Sequence, residues 1–399
     1  MHTSEKQLTA EKQRPKRLLA LDILRGITIA GMILVNNPGS WGHIYAPLEH
    51  ASWNGLTPTD LVFPFFMFIM GVSTYFSLRK FDFKPSWPTI AKILRRTIVI
   101  FLIGMGVAWF SLFMRGIVRG DALWEAVLNF DHIRILGVMP RLAICYGVGS
   151  LLAITLRHKT LPIFIALMLV AYAIILLCGN GFEFADHNVI AVVDRAVLGE
   201  AHMYADTIDG VTLKFDPEGL LSTLPSIAHM LIGFLCGSLI VSTTDNTLRI
   251  NKLFIVGTIL TFSGFLLDFG LPINKKIWSP TFVLTTCGLA SSFLALLIWI
   301  IDIKGKRRWC HFFEAFGINP LFMYVLGAVL SILIGTIRVP WAEATSGMIS
   351  IKGLIYEGLL MPLCMDNATL ASLIFALLFV MFNWCFGEIL YKKKIYIKI

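Results

Sequence analysis

One histidine stands in a polar, aromatic stretch at the entrance to an apolar segment. Glu49-His-Ala-Ser-Trp-Asn-Gly-Leu-Thr-Pro-Thr-Asp60 runs directly into Leu61-Val-Phe-Pro-Phe-Phe-Met-Phe-Ile-Met-Gly71. Imidazole titrates near neutral pH without tuning, so His50 is a ready general base. Beside it Trp53, Asn54 and Asp60 offer a ring face, an amide and a carboxylate to a polar ligand. Thr57 and Thr59 can cap the helix that follows, with Asp60 in its first turn, where a negative charge suits the helix dipole. Polar groups at the edge of a bilayer are costly to bury, which invites a functional reading. The plainer one is a loop at the water boundary with an interfacial Trp.

Other polar residues lie where apolar ones are expected. Asp22 and Arg25 are three apart in the first apolar run, close enough to pair on one helix face. Arg25 keeps its charge, so it must face protein, water or a ligand anion. Arg141, in Met139-Pro-Arg-Leu-Ala-Ile-Cys-Tyr146, is similar, with a snorkelling interfacial Arg as the plainer alternative. Asn36 and Asn37, before Pro38-Gly39, read as a helix end or as ligand-facing amides. Asp216 and Glu218, in Phe215-Asp-Pro-Glu-Gly219, are either first-turn caps or a paired carboxylate site. Asn274-Lys275-Lys276 before Trp278, and Gly317-Ile-Asn319, are structural on local grounds.

The elements that must hold these groups follow from composition. Of 399 residues, 56% are hydrophobic and 15% charged, with a mean hydropathy of +0.75. A soluble chain of this length could not hide that surface, so the fold class is all-α, a polytopic transmembrane helical bundle integral to the lipid bilayer. Ten apolar segments of about spanning length are expected near 18–37, 58–79, 92–113, 134–156, 160–179, 222–242, 252–270, 279–302, 313–336 and 369–391. The run 351–365 is shorter and reads as interfacial or re-entrant, with an eleventh span as the alternative. The domain plan is a basic tail over 1–17, one transmembrane domain over 18–391 and a basic tail over 392–399.

Placing the N-terminus inside and alternating puts twenty-three of the 34 Lys and Arg on inner loops and nine on outer loops. That bias suits ten spans with both termini cytoplasmic, and it puts His50 outside. The net charge of +9 is therefore explained by the membrane, and nucleic acid is not expected as a partner. The seven Cys are scattered, without a CxxC pair, so no metal site is expected. The first apolar run, with Asp22 and Arg25 inside it, fits a cleavable signal peptide poorly. No P-loop, GxGxxG, GxSxG or HExxH motif competes.

Taken together these residues are familiar. Arg17-Leu-Leu-Ala-Leu-Asp-Ile-Leu-Arg-Gly26 resembles the first-helix signature of the transmembrane acyltransferase superfamily. More closely, the chain resembles the heparan-α-glucosaminide N-acetyltransferase family and its bacterial amino-sugar relatives. The matching pieces are Met32-Ile-Leu-Val-Asn36, His50-Ala-Ser-Trp-Asn-Gly-Leu56, Asp60-Leu-Val-Phe-Pro64, Arg141-Leu-Ala-Ile-Cys-Tyr146, Asp216-Pro-Glu-Gly-Leu220, Asn274-Lys275, Ile277-Trp-Ser279 and Gly317-Ile-Asn319. The resemblance implies that cytosolic acetyl-CoA, as co-substrate, donates its acetyl group across the bilayer to the amine of a glucosamine-type sugar. It places the active-site histidine at His50, as base or transient acyl carrier, and a partner asparagine at Asn36. It also implies a bacterial inner (cytoplasmic) membrane and leaves a homodimer open.

Two departures from the family pattern bear on the acceptor. The family's large N-terminal luminal domain and first helix have no counterpart here, and the Asn36–His50 connection is a few residues longer. Both favour a small sugar or muropeptide fragment. The chemistry fits the residues: a base for the attacking amine, and the Asn36 amide for the developing oxyanion. On the donor side the expected set is Asp22, Arg25, Arg141 and Asn319, with Arg charge for the CoA phosphates. On the acceptor side it is Trp53, which could stack on a pyranose, with Asn54, Asp60, Asp216, Glu218 and Lys275. An amino-sugar or N-acetylglucosamine permease without chemistry is the alternative, and O-acetylation of an envelope glycan would use similar parts.

Overall fold

The structure, a computed structural model, describes residues 18–342 and 347–397. The basic tail expected over 1–17 lies outside the described residues. Helices dominate, in chain order α1 (Leu19–Val35), α2 (Val62–Leu78), α3 (Trp87–Arg119), α4 (Val138–Thr155), α5 (Leu161–Cys178), α6 (Thr223–Ser242), α7 (Asn246–Asp268), α8 (Pro280–Leu297), α9 (Cys310–Ile318), α10 (Pro320–Thr336) and α11 (Ala368–Lys392). The protein is a polytopic helical membrane protein.

Among the described residues eight helices are long and apolar enough to cross a bilayer, or up to nine if a bent pair counts as one span. The expectation was ten. The α1 helix has 17 residues, about 25 Å of rise, slightly under the usual spanning length. The span expected over 313–336 is two helices, α9 and α10, bent by 87°. The break falls at Asn319, whose φ of −122° and ψ of 58° are not helical. Pro320 lacks an N–H and forces its predecessor out of the helical region, which accounts for the bend. The 351–365 run is helical from Ile351 to Leu363 in three short pieces, one of them π-helical over Leu354–Leu360. At about 20 Å it is too short to cross alone.

Close helix pairs set the frame. A Cβ at Gly71 on α2 would lie 2.0 Å from the Met230 carbonyl oxygen, and one at Gly233 on α6 would lie 2.2 Å from that of Phe68. The α1–α9 crossing is equally tight, through Gly26 and Gly317. Without a hydrophobic drive between helices in lipid, small residues that let backbones touch supply the packing.

Two ends of the bundle result. At one end Arg25 reaches the Gly317 carbonyl at 3.4 Å, and the Asn319 amide clasps the terminal segment, donating to Ile395 O and accepting from Ile397 N, both at 2.8 Å. The start of α1 and the end of α11 therefore share this end. At the other end, beyond Val35, stands the 50–60 loop with the 180–221 excursion. That excursion holds a helix over Val189–Leu198 and an antiparallel hairpin, β1 (Ala205–Ile208) and β2 (Val211–Lys214), with Ala205 opposite Lys214.

Candidate active site

Asp60 is the best-determined group at this end. It sits in the 3-10 turn Pro58–Leu61 that opens α2 and has no exposed surface. Its Oδ2 accepts from the backbone of Ala51 and Thr57, both at 3.1 Å, and from the Thr57 hydroxyl at 3.0 Å. Its Oδ1 faces His50 Nδ1 at 2.7 Å and Lys275 Nζ at 3.3 Å. Four donors and a share of the Thr57 hydroxyl proton leave it no lone pair to spare. Asp60 was expected to hold substrate; instead it orients the imidazole.

His50 is 42% exposed. Lys275 Nζ is 2.9 Å from its Nδ1 and 3.4 Å from its Nε2. The carboxylate decides the tautomer. It can only accept, so in the neutral ring Nδ1 carries the proton and Nε2 keeps its lone pair. Lys275 then touches Nδ1 as a charge neighbour and pairs with Asp60. Burial pulls the Lys275 ammonium below the usual lysine range, against the pull of Asp60 and Glu218.

A cavity of about 510 Å³ opens over this pair, lined by Asn36, Trp41, Glu49, His50, Arg134, Glu218, Lys275 and Trp278 among others. Its lining includes an ion cluster. The guanidinium of Arg134 takes both oxygens of Asp216, with Nε–Oδ2 at 2.9 Å, and also contacts Glu218. Its face lies 4.9 Å from the Tyr204 ring. Burial disfavours the Glu218 charge, but Arg134 and Arg141 outweigh it and hold the carboxyl below its ordinary range. In return Glu218 and Asp216 overcome burial and raise Arg134 well above its own. A second latch, Lys276 to Asp206, ties the hairpin to the 271–279 loop.

The profile of the family described as "Heparan-alpha-glucosaminide N-acetyltransferase, catalytic" matches residues 17–265. The chain belongs to this family. It is 30% identical over 370 residues to the human heparan-alpha-glucosaminide N-acetyltransferase, covering 78% of this chain and 52% of that protein. It is 27% identical over 381 residues to the mouse protein of the same name, covering 82% and 56%. The chain thus spans about half the length of these curated relatives. The matched region takes in Asn36, His50, Asp60, Arg134, Asp216 and Glu218 but stops short of Lys275 and Trp278.

The structure brings together some of the expected residues and separates others. Asn36, His50, Glu218 and Lys275 line the one cavity. Asp216 is fully buried behind Arg134, accepts from the Tyr204 and Glu218 backbone, and cannot reach a ligand. Trp53 is taken up in packing: its ring lies 5.2 Å from Phe184 and 5.3 Å from Phe215, and Nε1 donates to Phe182 O at 2.7 Å. Asn54 accepts from Asn274 Nδ2 at 3.1 Å and so joins two loops.

Arg141 changes ends. Expected with Arg25 on the donor face, it is fully buried below the His50 cavity. There it donates to Gly219 O at 3.0 Å and to the Ser222 hydroxyl, with its guanidinium 5.2 Å from the Trp278 ring. Asp22 pairs with Arg25 at 2.9 Å, and Arg25 also donates to the Ser73 hydroxyl at 2.8 Å. Asn319 holds the terminal segment.

Arg134 was not singled out from sequence. Its carboxylate partners lie 82 and 84 residues away, and the only local signal was a cation on an otherwise weakly basic outer loop. Asp194 was also missed. Burial pushes its carboxyl up to about 6, although it accepts from the Leu220 and Leu221 N–H groups.

Proposed function

We propose that this chain is a transmembrane acetyltransferase that moves the acetyl group of acetyl-CoA to the amine of a glucosamine-type sugar. The observation that carries the reading is the His50–Asp60 pair at 2.7 Å on the wall of a cavity that also holds the Glu218 carboxylate and the Asn36 amide. A base of the right tautomer, an anchor for an ammonium or sugar hydroxyls and a neutral donor are what aminolysis of a thioester needs.

The step balances as follows. The neutral amine attacks the thioester carbonyl carbon, forming the C–N bond, and the carbonyl oxygen becomes an oxyanion facing Asn36 and the Lys275 ammonium. His50 Nε2 takes the amine proton. The C–S bond then breaks, and the imidazolium returns that proton to the sulfur of CoA. Asp60 holds the ring throughout and offsets its transient charge.

On this reading the CoA phosphates stay at the opposite end, among the cations Arg25, Lys304, Lys306, Arg307 and Arg308, and the acetyl end reaches up to Asn36. Arg141, buried at the cavity end, holds the 216–222 segment in place. The membrane is a bacterial inner membrane, with the cavity facing away from the cytoplasm.

His50→Ala in purified protein should lower acetyl transfer to glucosamine by roughly a hundredfold or more with folding intact. Unchanged transfer defeats the proposal. Label from acetyl-CoA found on His50 without acceptor would replace direct transfer by an acetyl-histidine route. In proteoliposomes, accumulation of N-acetylglucosamine without CoA and without acetylated product would make the chain a permease. In sealed, oriented vesicles the two substrates should be needed on opposite sides.

A further inference from the structure

Part of the cavity lining comes from the long connection between Asn36 and His50, and its chemistry differs from that of the ion cluster. Trp41 lies on it with 62% of its surface exposed, whereas Trp278, on the same cavity, is 1% exposed. Glu49 completes this wall. The other lining carboxylates are each matched with a cation, Asp60 with Lys275, Asp206 with Lys276 and Glu218 with Arg134. Glu49 has no ion-pair partner among the described residues. An unburied indole and an unmatched carboxylate thus face one cavity from one segment.

That segment is held at both ends. Gly39 N donates to Ser372 O at 3.2 Å and Ser40 N to the Ser372 hydroxyl at 3.1 Å, and that hydroxyl donates back to Ser40 O at 3.2 Å. A Cβ at Gly39 would meet the Tyr356 ring at 2.6 Å, so the root of the loop lies flat against its neighbours. Downstream, the Thr59 hydroxyl donates to Pro47 O at 3.2 Å, and the Thr57 hydroxyl, whose one proton is shared with Asp60 Oδ2, donates to Glu49 O at 2.7 Å. Trp41 is therefore carried on a pinned loop, and little ordering is left to be lost when a ligand binds.

We infer that Trp41 and Glu49 form the acceptor-binding wall of this cavity, the indole stacking on the C–H face of a pyranose and the carboxylate accepting from its hydroxyl or ammonium hydrogens. This rests on the cavity being the amino-sugar site of the proposed function. An amphipathic ring presents apolar area at small entropic cost, and a few placed polar groups then orient the ligand. Trp53, the ring expected in that role, has both its edge and its N–H taken by the 182–184 segment and Phe215. The rival role for Trp41 is a lipid-headgroup anchor.

The test uses the full chain in detergent with glucosamine and acetyl-CoA as substrates. Trp41→Ala should raise the KM for glucosamine about tenfold and leave that for acetyl-CoA within about twofold, and Trp41→Phe should recover most of the loss. Glu49→Gln should raise the glucosamine KM about threefold. A second readout needs no turnover: the difference in tryptophan fluorescence between wild type and Trp41→Phe, quenched by acrylamide, should be shielded by glucosamine alone. An unchanged glucosamine KM in Trp41→Ala, or both KM values rising together as an anchor would give, overturns the inference. If Trp41→Ala does not fold, absence of shielding overturns it. Shielding in a wild-type protein that transfers no acetyl group would keep this wall as a sugar site and remove the acetyltransferase reading; turnover with neither shielding nor a KM change would do the reverse.

Discussion

Replacing Asp60 with Asn reverses one proton without changing the shape of the site. The three donors on Oδ2, from Ala51 N, Thr57 N and the Thr57 hydroxyl, require an acceptor, so the amide oxygen takes that place. The amide NH2 must then face His50 Nδ1 and the Lys275 ammonium. It donates to Nδ1, the imidazole proton moves to Nε2, and the lone pair that should meet the substrate amine is gone. Lys275 loses its counter-ion at the same time. In a buried serine-protease triad the equivalent change costs on the order of 10⁴ in kcat. His50 is 42% exposed, and water can support the other tautomer. The expected loss here is therefore on the order of 10²–10³, or about 2.7–4 kcal/mol of barrier. The assay is transfer of labelled acetyl from acetyl-CoA to glucosamine by purified Asp60→Asn protein, with thermal unfolding as the control. The KM for acetyl-CoA should stay within about twofold, and adding the change to His50→Ala should cost almost nothing more. A kcat within fivefold of wild type, in a protein with an unaltered melting point, would refute the tautomer argument.

Glu218→Gln neutralises the carboxylate that Arg134 holds on the cavity wall and should raise the KM for glucosamine by about tenfold with little effect on that for acetyl-CoA; an equal rise in both would make Glu218 structural. Arg141→Met should lower the melting point and impair the sugar side, because the guanidinium carries the 219–222 turn; a selective rise in the acetyl-CoA KM would return it to the donor. Asp194 sets a pH dependence of stability. Its folded carboxyl is pushed up to about 6 from an ordinary 3.8, so between these values the folded form binds the proton more tightly. The stability it contributes is present at low pH and is lost as pH rises through that window, by up to about 3 kcal/mol. Asp194→Asn keeps an acceptor for Leu220 and Leu221 and should flatten the fall in melting temperature from pH 4 to 6; an unchanged slope would show that this group is not its source.

Much of the fold was legible because its causes are local. Apolar runs mark helices without reference to anything else in the chain, and Thr57, Pro58 and Asp60 announce the start of α2 within four residues. Pro320 marked the break between α9 and α10, yet hydropathy ran through it and the two pieces read as one span. His50 stood out because a titratable ring at an apolar helix entrance has few structural uses. Trp53 stood out for a related reason. A tryptophan beside the histidine looks like a sugar platform, but its ring packs against Phe184 and Phe215 and is not among the residues that line the cavity.

By itself the sequence determined the membrane class, the approximate helices and the family, and it singled out the histidine proposed as the base. All of these follow from short-range pattern: period, length, capping and a contiguous motif. Only the tertiary structure decided which charges meet. Lys275 reaches His50 across 225 residues, Arg134 reaches Asp216 and Glu218 across 82 and 84, and Arg141 belongs to the His50 end rather than to the Arg25 end. Hydropathy and charge bias say how many cations lie on each side of a bilayer, but an ion pair depends on the depth and rotation of helices far apart in sequence. Those are set by close crossings such as Gly71 on Gly233 and Gly26 on Gly317, which no local window contains.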